Sequence, residues 1–267
     1  MSDLDIGAYL KRVGYAGALR PTYAVLEALH LAHATRIPFE NLDVLLGRPI
    51  GLDLASLQRK LVAGGRGGYC FEHILLFAAV LGKLGFDAKL LGAKVRHRGD
   101  KDLPRTHMLL LVGVEGEEWV ADVGFGGEGL LLPVPFGSGR EARHYAWTYR
   151  IIEERAGQWL LQSQRNGAWA NLYCFTMQPQ TLADCVMANH YTSTHPDSPF
   201  VSTLIVQLPT PEARYILRNR ELVVDRGGGS GARRMLAGDD ELLEVLAGTF
   251  GLHFPAATQF GYRDTIP

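Results

Sequence analysis

The sequence lacks what a membrane protein or a nucleic-acid-binding protein needs. Among its 267 residues no apolar run approaches the roughly 20 residues that span a bilayer. The opening residues Met1-Ser2-Asp3-Leu4-Asp5 are acidic, without the basic and apolar segments of a secretory signal. The net charge is -1 and no long basic cluster occurs, which excludes the electrostatic footprint of a nucleic-acid partner. Cysteine is scarce: Cys70, Cys174 and Cys185 are an odd number without metal-ligand spacing. Together with the missing export pattern, that predicts free thiols in a reducing cytoplasm and no bound metal. The run Gly227-Gly228-Gly229-Ser230-Gly231 lacks the Lys, the Ser or Thr and the helix start of a phosphate-cradling loop. It reads as a flexible connection.

What is present suffices for a large core, in one big domain or two to three smaller ones: 47% of residues are hydrophobic and 21% charged. Residues 1–85 read as helical. Apolar positions Ile6, Leu10 and Val13 share a face before Gly14, Thr22 can cap a helix to about Ala34, and Asp53 starts one through Val62 that Gly64-Gly65 stop. Between them, Ile37-Pro38-Phe39-Glu40-Asn41-Leu42-Asp43 reads as a packed loop, because Pro38 cannot continue a helix. Residues 86–190 change pattern. Lys89–Arg96, His107–Val114, Trp119–Val123, Tyr145–Glu154, Trp159–Arg165 and Ala168–Phe175 read as short strands, with Asn166-Gly167 as a hairpin turn. Such a succession suggests a small barrel or sandwich. Thr181-Leu182-Ala183-Asp184 opens a short helix to about His190. Residues 191–267 add strands at Phe200–Leu208, Ala213–Arg218 and Glu221–Asp225 and a helix over Asp239–Thr249. The class is α+β.

The chemistry gathers at Arg66-Gly67-Gly68-Tyr69-Cys70-Phe71-Glu72, where a glycine turn runs into a cysteine that opens the apolar run Ile74–Leu84. A thiol at a helix start feels the positive end of the backbone dipole, which favours the thiolate. Glycines before it admit a sharp turn and the close approach of a substrate. A buried helix-cap cysteine is the competing reading.

A cysteine nucleophile needs a base and a group to orient that base. Nine histidines are available. His73 lies three residues past Cys70 but has nothing obvious to orient it, and His30 and His33 read as structural residues of a helix face. His107 is the stronger candidate. It begins a strand whose hairpin partner holds Asp122 among Trp119, Val120, Ala121 and Val123. A carboxylate in apolar company must be paired, and an imidazole across the hairpin would satisfy it and fix its tautomer. The two side chains oppose each other only if the hairpin closes tightly near Val114-Glu115; a wider turn shifts the register and can change their relative faces. An exposed strand-end histidine and a separate turn aspartate remain the alternative. Gly124-Phe125-Gly126-Gly127 is either an ordinary turn or a loop that gives a substrate access beside the carboxylate. Arg66 is an exposed charge, or is anchored by Glu40 so as to hold the cysteine turn rigid.

With Cys70, His107 and Asp122 assembled, the sequence resembles the arylamine N-acetyltransferases. The segments Ile37–Asp43, Arg66–Glu72, Thr106-His107, Asp122-Val123-Gly124-Phe125-Gly126 and Ser193-Thr194-His195-Pro196 follow that family's order over nearly the whole chain. The resemblance implies a helical N-terminal domain (1–85), a β-barrel middle domain (86–190) and an α/β lid C-terminal domain (191–267), around a cysteine-protease-like catalytic core. It implies a Cys70-His107-Asp122 triad that passes acetyl from acetyl-CoA, a substrate rather than a resident cofactor, to an arylamine, arylhydrazine or hydrazide by a ping-pong route. It further implies a cytoplasmic monomer or homodimer, with Phe39, Thr106, Phe125, Gly126 and Phe200 lining the donor or acceptor cleft. One departure stands out: Ile74 occupies a position where many bacterial relatives carry an Asn able to meet CoA. Rival chemistries for the same triad are an amide synthase that closes an aromatic polyketide chain and a thiol hydrolase or transglutaminase-like enzyme.

Overall fold

The computed structural model describes residues 3–96, 103–137, 139–227 and 231–263. Residues 228–230 of the glycine-rich connection lie outside that set.

The chain opens with helix α1 (Ile6–Val13), whose N-cap Asp5 accepts from the Ala8 N–H and whose last turn closes on left-handed Gly14. Helix α2 (Tyr23–Arg36) is capped by Thr22 and ends where Ile37 precedes Pro38. The next segment differs from the expected packed loop. Phe39–Glu40 is a two-residue strand, β1, and Leu42–Leu45 one helical turn, α3. Helix α4 (Leu54–Leu57) passes directly into a π-helical stretch, Gln58–Ala63. Helix α5 (Cys70–Lys83) then runs through the core. Its Phe71, Ile74, Leu76, Phe77, Val80 and Leu81 are fully buried, each contributing about 1.5–3 kcal/mol by leaving water.

An eight-stranded antiparallel sheet follows: β2 (Asp87–Val95), β3 (His107–Val114), β4 (Glu117–Ala121), β5 (Val134–Pro135), β6 (Glu141–His144), β7 (Trp147–Arg155), β8 (Gln158–Arg165) and β9 (Ala168–Pro179). The strand order is β5-β4-β3-β2-β9-β8-β7-β6. Its two ends come back toward each other, with the Tyr149 hydroxyl of β7 donating to the Gly129 carbonyl at 2.9 Å and Leu132 N–H donating to His144 of β6 at 3.4 Å. The sheet is therefore barrel-like and nearly closed, as the run of short strands suggests.

Helix α6 (Leu182–Thr194) has the Thr181/Asp184 capping box and extends past the expected end at His190. A second antiparallel sheet joins β10 (Ile205–Pro209), β11 (Arg214–Arg218), β12 (Glu221–Asp225) and β13 (Ala232–Met235), and β1 completes it beside β10. The expected start of β10 at Phe200 is corrected: Pro199–Val201 forms a 3-10 turn, because Ser198 caps it and Pro199 suits its first position. Helix α7 (Asp239–Phe250) packs Leu242, Val245, Leu246 and Phe250 against this sheet, with Leu42 and Leu45 from α3 in the same cluster. Two residues from early in the chain thus tie the last sheet to the cysteine turn. Among the described residues, no helix is long and apolar enough to cross a membrane.

Candidate active site

Cys70 is the first residue of α5, and its surroundings explain the glycines before it. A Cβ on Gly67 would lie 2.0 Å from the Pro38 carbonyl oxygen, and one on Gly68 would lie 2.6 Å from a Glu72 carboxylate oxygen. The absence of side chains there lets the turn pack against β1, where Glu40 N–H donates to the Gly68 carbonyl at 2.7 Å. The carboxylate of Glu72 accepts from Tyr69 N–H at 3.1 Å, capping the helix, and takes Lys60 Nζ at 2.8 Å on its other oxygen. Burial raises the Glu72 pKa to about 7 against the pull of Lys60.

Arg66 is anchored by Glu40. Its Nη2 and Nε donate to one Glu40 oxygen at 2.7 and 3.0 Å, and the second oxygen accepts from Leu42 N–H at 2.7 Å. The cluster extends through Asp43 to Lys60 and Glu72, and the Arg66 guanidinium lies over the Phe254 ring at 4.6 Å. The turn is held from three sides.

His107 and Asp122 come from the β3–β4 hairpin. Its register pairs Val114 with Glu117 and Leu110 with Ala121, around the left-handed turn Glu115-Gly116. Continued outward, that register sets Gly124 opposite His107 and leaves Asp122 as the diagonal neighbour. Diagonal neighbours share a face. The hairpin does close tightly, and the parity of the offset, rather than direct opposition, brings the two side chains together. His107 Nε2 meets Asp122 Oδ2 at 2.7 Å. The other carboxylate oxygen accepts from Gly124 N–H at 2.9 Å. Burial alone would raise the Asp122 pKa, but His107 and these hydrogen bonds hold it below the ordinary carboxylate value.

The Nδ1 atom of His107 has no partner among the described residues. His107 and Cys70 both line a cavity of about 400 Å³ whose walls include Phe39, Thr106, Phe125 and Phe200. The Cys70 sulfur sits 3.5 Å from the Thr106 carbonyl oxygen. Gly124 carries the hairpin loop against Cys70, because a Cβ there would stand 3.1 Å from the Cys70 Cα. Gly126 lies off this cavity. It lines a smaller one behind, where a Cβ would run into the Gln207 side chain. Ile74 is fully buried beneath Gly124, and its side chain is outside the cavity wall.

Burial, and then the charge of Asp122, push the Cys70 thiol up, while the backbone N–H groups of Phe71 and Cys70 at the helix start pull it down, as expected of a helix start.

His73 is turned away from the thiol. Its Nδ1 lies 3.0 Å from His33 Nε2, and its Nε2 lies 3.0 Å from the Gly68 carbonyl. Two residues of the site carry no signal in the sequence. His30, from α2, accepts from Asp122 N–H at 3.0 Å through Nε2 and faces the Leu131 carbonyl at 3.0 Å through Nδ1. A neutral Nδ1–H tautomer satisfies both, and burial keeps the ring neutral by lowering its pKa to about 4. Tyr173 packs its ring 4.9 Å from His107 and 5.1 Å from Phe125, roofing the imidazole.

Residues 22–259 match a protein-family model described as N-acetyltransferase. The chain is 39% identical to an arylamine N-acetyltransferase of Mycolicibacterium smegmatis, over 93% of this chain and 92% of the relative. The fold is similar to the solved arylamine N-acetyltransferase of Salmonella typhimurium, with a TM-score of 0.89 and 35% identity, covering 97% of this chain and 95% of that one. It is also similar to a Mycobacterium marinum arylamine N-acetyltransferase solved in complex with CoA, with a TM-score of 0.88 and 34% identity over 93% of each chain.

Proposed function

Because the chain belongs to the arylamine N-acetyltransferase family, we propose that it transfers acetyl from acetyl-CoA to aromatic amines, hydrazines and hydrazides through an acetylated Cys70. The observation that carries this reading is one cavity wall holding a cysteine and an imidazole, with the imidazole 2.7 Å from a buried carboxylate.

In the first half-reaction the Cys70 proton passes to His107 Nδ1, and the sulfur attacks the thioester carbonyl carbon. The C–S bond to CoA breaks, and the CoA sulfur takes the proton back from the imidazolium. In the second, the amine nitrogen attacks the acetyl carbon of acetyl-Cys70, His107 accepts the N–H proton, and the Cys70 sulfur leaves. Asp122 has two parts in both halves. It holds the ring so that Nδ1 rather than Nε2 faces the sulfur, and its charge supports the imidazolium. Burial makes a lone thiolate at Cys70 costly, and passing its proton to His107 offsets that cost. Glu40, Arg66 and Glu72 act on the backbone turn that places the sulfur. Thioester exchange between two sulfurs is nearly balanced, so the acetyl group can wait on Cys70 for an acceptor.

The test is free-CoA release with and without an aromatic amine. The reading expects a burst of one CoA per enzyme without amine and steady release only with it. Amine-independent release that outpaces acetylation of the amine would establish a thioester hydrolase and overturn it.

A further inference from the structure

The far wall of the cavity is one face of the second sheet. Ile205 and Gln207 alternate onto it from β10, and Ile216 and Arg218 from β11. The register pairs Ile205 with Arg218 and Gln207 with Ile216, so the four form a compact block, and all four line the cavity. Among the described residues lining it, Arg218 is the one Lys or Arg side chain. Its Nε is buried without a hydrogen-bond partner, and no acid among the described residues forms an ion pair with it. The other inward arginines differ: Arg66 is held by Glu40 and Arg214 by Tyr149 and the Trp147 ring. Two acids share the cavity wall. Glu128 pairs with Arg165 through one oxygen and buries the other without a hydrogen-bond partner, and the Asp197 side chain is 83% exposed beside His195.

We propose that Arg218 makes this end of the cavity a subsite for the carboxylate of an anionic aromatic amine. A guanidinium without a protein counter-ion can take a carboxylate in two parallel hydrogen bonds, end-on through its Nη atoms or edge-on after a small turn that frees Nε. Ile205 and Ile216 beside it give an aromatic ring an apolar floor, and the same cavity ends at Cys70. A pyrophosphate fits worse, because one cation would face a dianion. The acyl-transfer reading supplies the amine at the ring's other end; the anion subsite itself can be tested without turnover.

Binding of para-aminobenzoate and of its neutral amide would be measured by calorimetry on wild type, Arg218→Met and Arg218→Lys. Arg218→Met keeps the length of the stem, and Arg218→Lys keeps the charge while losing the fork. Wild type is expected to prefer the acid. In Arg218→Met that preference falls by roughly ten- to a hundredfold, the size of a lost charge-assisted hydrogen bond, and Arg218→Lys lies between. With acetyl-CoA as donor, the ratio of kcat/KM values for acid over amide should fall in parallel. An unchanged preference in Arg218→Met, an equal loss for acid and amide, or a wild type that binds neither overturns the proposal. So does a loss of CoA affinity with the acid preference intact, which would give the cation to the donor. A wild type that prefers the acid through Arg218 yet forms no acetyl-cysteine upholds the subsite and refutes the acyl-transfer reading.

Discussion

Acid should destabilise this protein well above the ordinary carboxylate range, because it buries neutral histidines. Burial lowers the His30 and His73 pKa values to about 4 and that of His144 to about 3. In the unfolded chain each returns to an ordinary value near 6.5. A lowered folded-state pKa means that the unfolded chain binds more protons, so stability present above pH 6.5 is lost as pH falls toward 4. Linkage gives about 2 kcal/mol per histidine between pH 7.5 and 5.0. Glu72 works in the opposite direction. Its folded pKa, raised to about 7, makes the charged form costly at neutral pH, and relieving that returns about 2 kcal/mol over the same interval. His30, His73, His144 and Glu72 together give a net loss of about 4 kcal/mol, a large share of the 5–15 kcal/mol that holds a typical domain together, and His33, which burial also holds well below its ordinary value, adds to it. The assay is urea unfolding at the two pH values for wild type and His144→Gln. His144 lies away from the cysteine, against Tyr149 at 4.9 Å, so its removal should flatten the pH dependence by about 2 kcal/mol. Wild-type stability that is level between pH 7.5 and 5.0, or a slope that His144→Gln leaves unchanged, would refute the reasoning.

Other outcomes follow from the same contacts. Asp122→Asn keeps the size of the side chain but removes the charge behind His107. Acetylation of an aromatic amine should fall by about a hundredfold or more, with the circular dichroism spectrum retained. Arg66→Met strands the buried Glu40 carboxylate and removes one of the three cations paired with Asp43, which should cost about 3–5 kcal/mol in chemical denaturation. His30→Gln keeps an acceptor for Asp122 N–H whereas His30→Leu removes it. The rate of Cys70 alkylation by iodoacetamide should therefore stay closer to wild type in the first, and equal rates would deny His30 a part in placing Asp122.

Much of the site was legible because its signals are local or chemically expensive. A carboxylate among Trp119, Val120, Ala121 and Val123 demands a partner, and His107 is the imidazole that a tight hairpin can offer. Arg66 beside a turn and Glu40 in a buried segment likewise ask for each other. Other features depend on distant partners. Phe39–Glu40 is too short to show a strand period, and its partners Val206 and Gln207 come far later in the chain. Strands β5, β6 and β13 are as brief or nearly so. His30 sits in an ordinary amphipathic helix, and its tie to Asp122 exists only once α2 is packed against the barrel. The dipole of a helix start can be read from sequence, but the depth of burial that opposes it at Cys70 cannot. The Ile74 side chain lies under Gly124, out of the cavity, which its place in the sequence could not show.

The central claim is a covalent acetyl group on one sulfur, so intact-mass spectrometry after addition of acetyl-CoA tests it most directly. Wild type should gain the mass of one acetyl group and lose it again when an aromatic amine is added, while Cys70→Ala should gain none. No adduct on wild type, or an equal adduct on Cys70→Ala, would contradict the account.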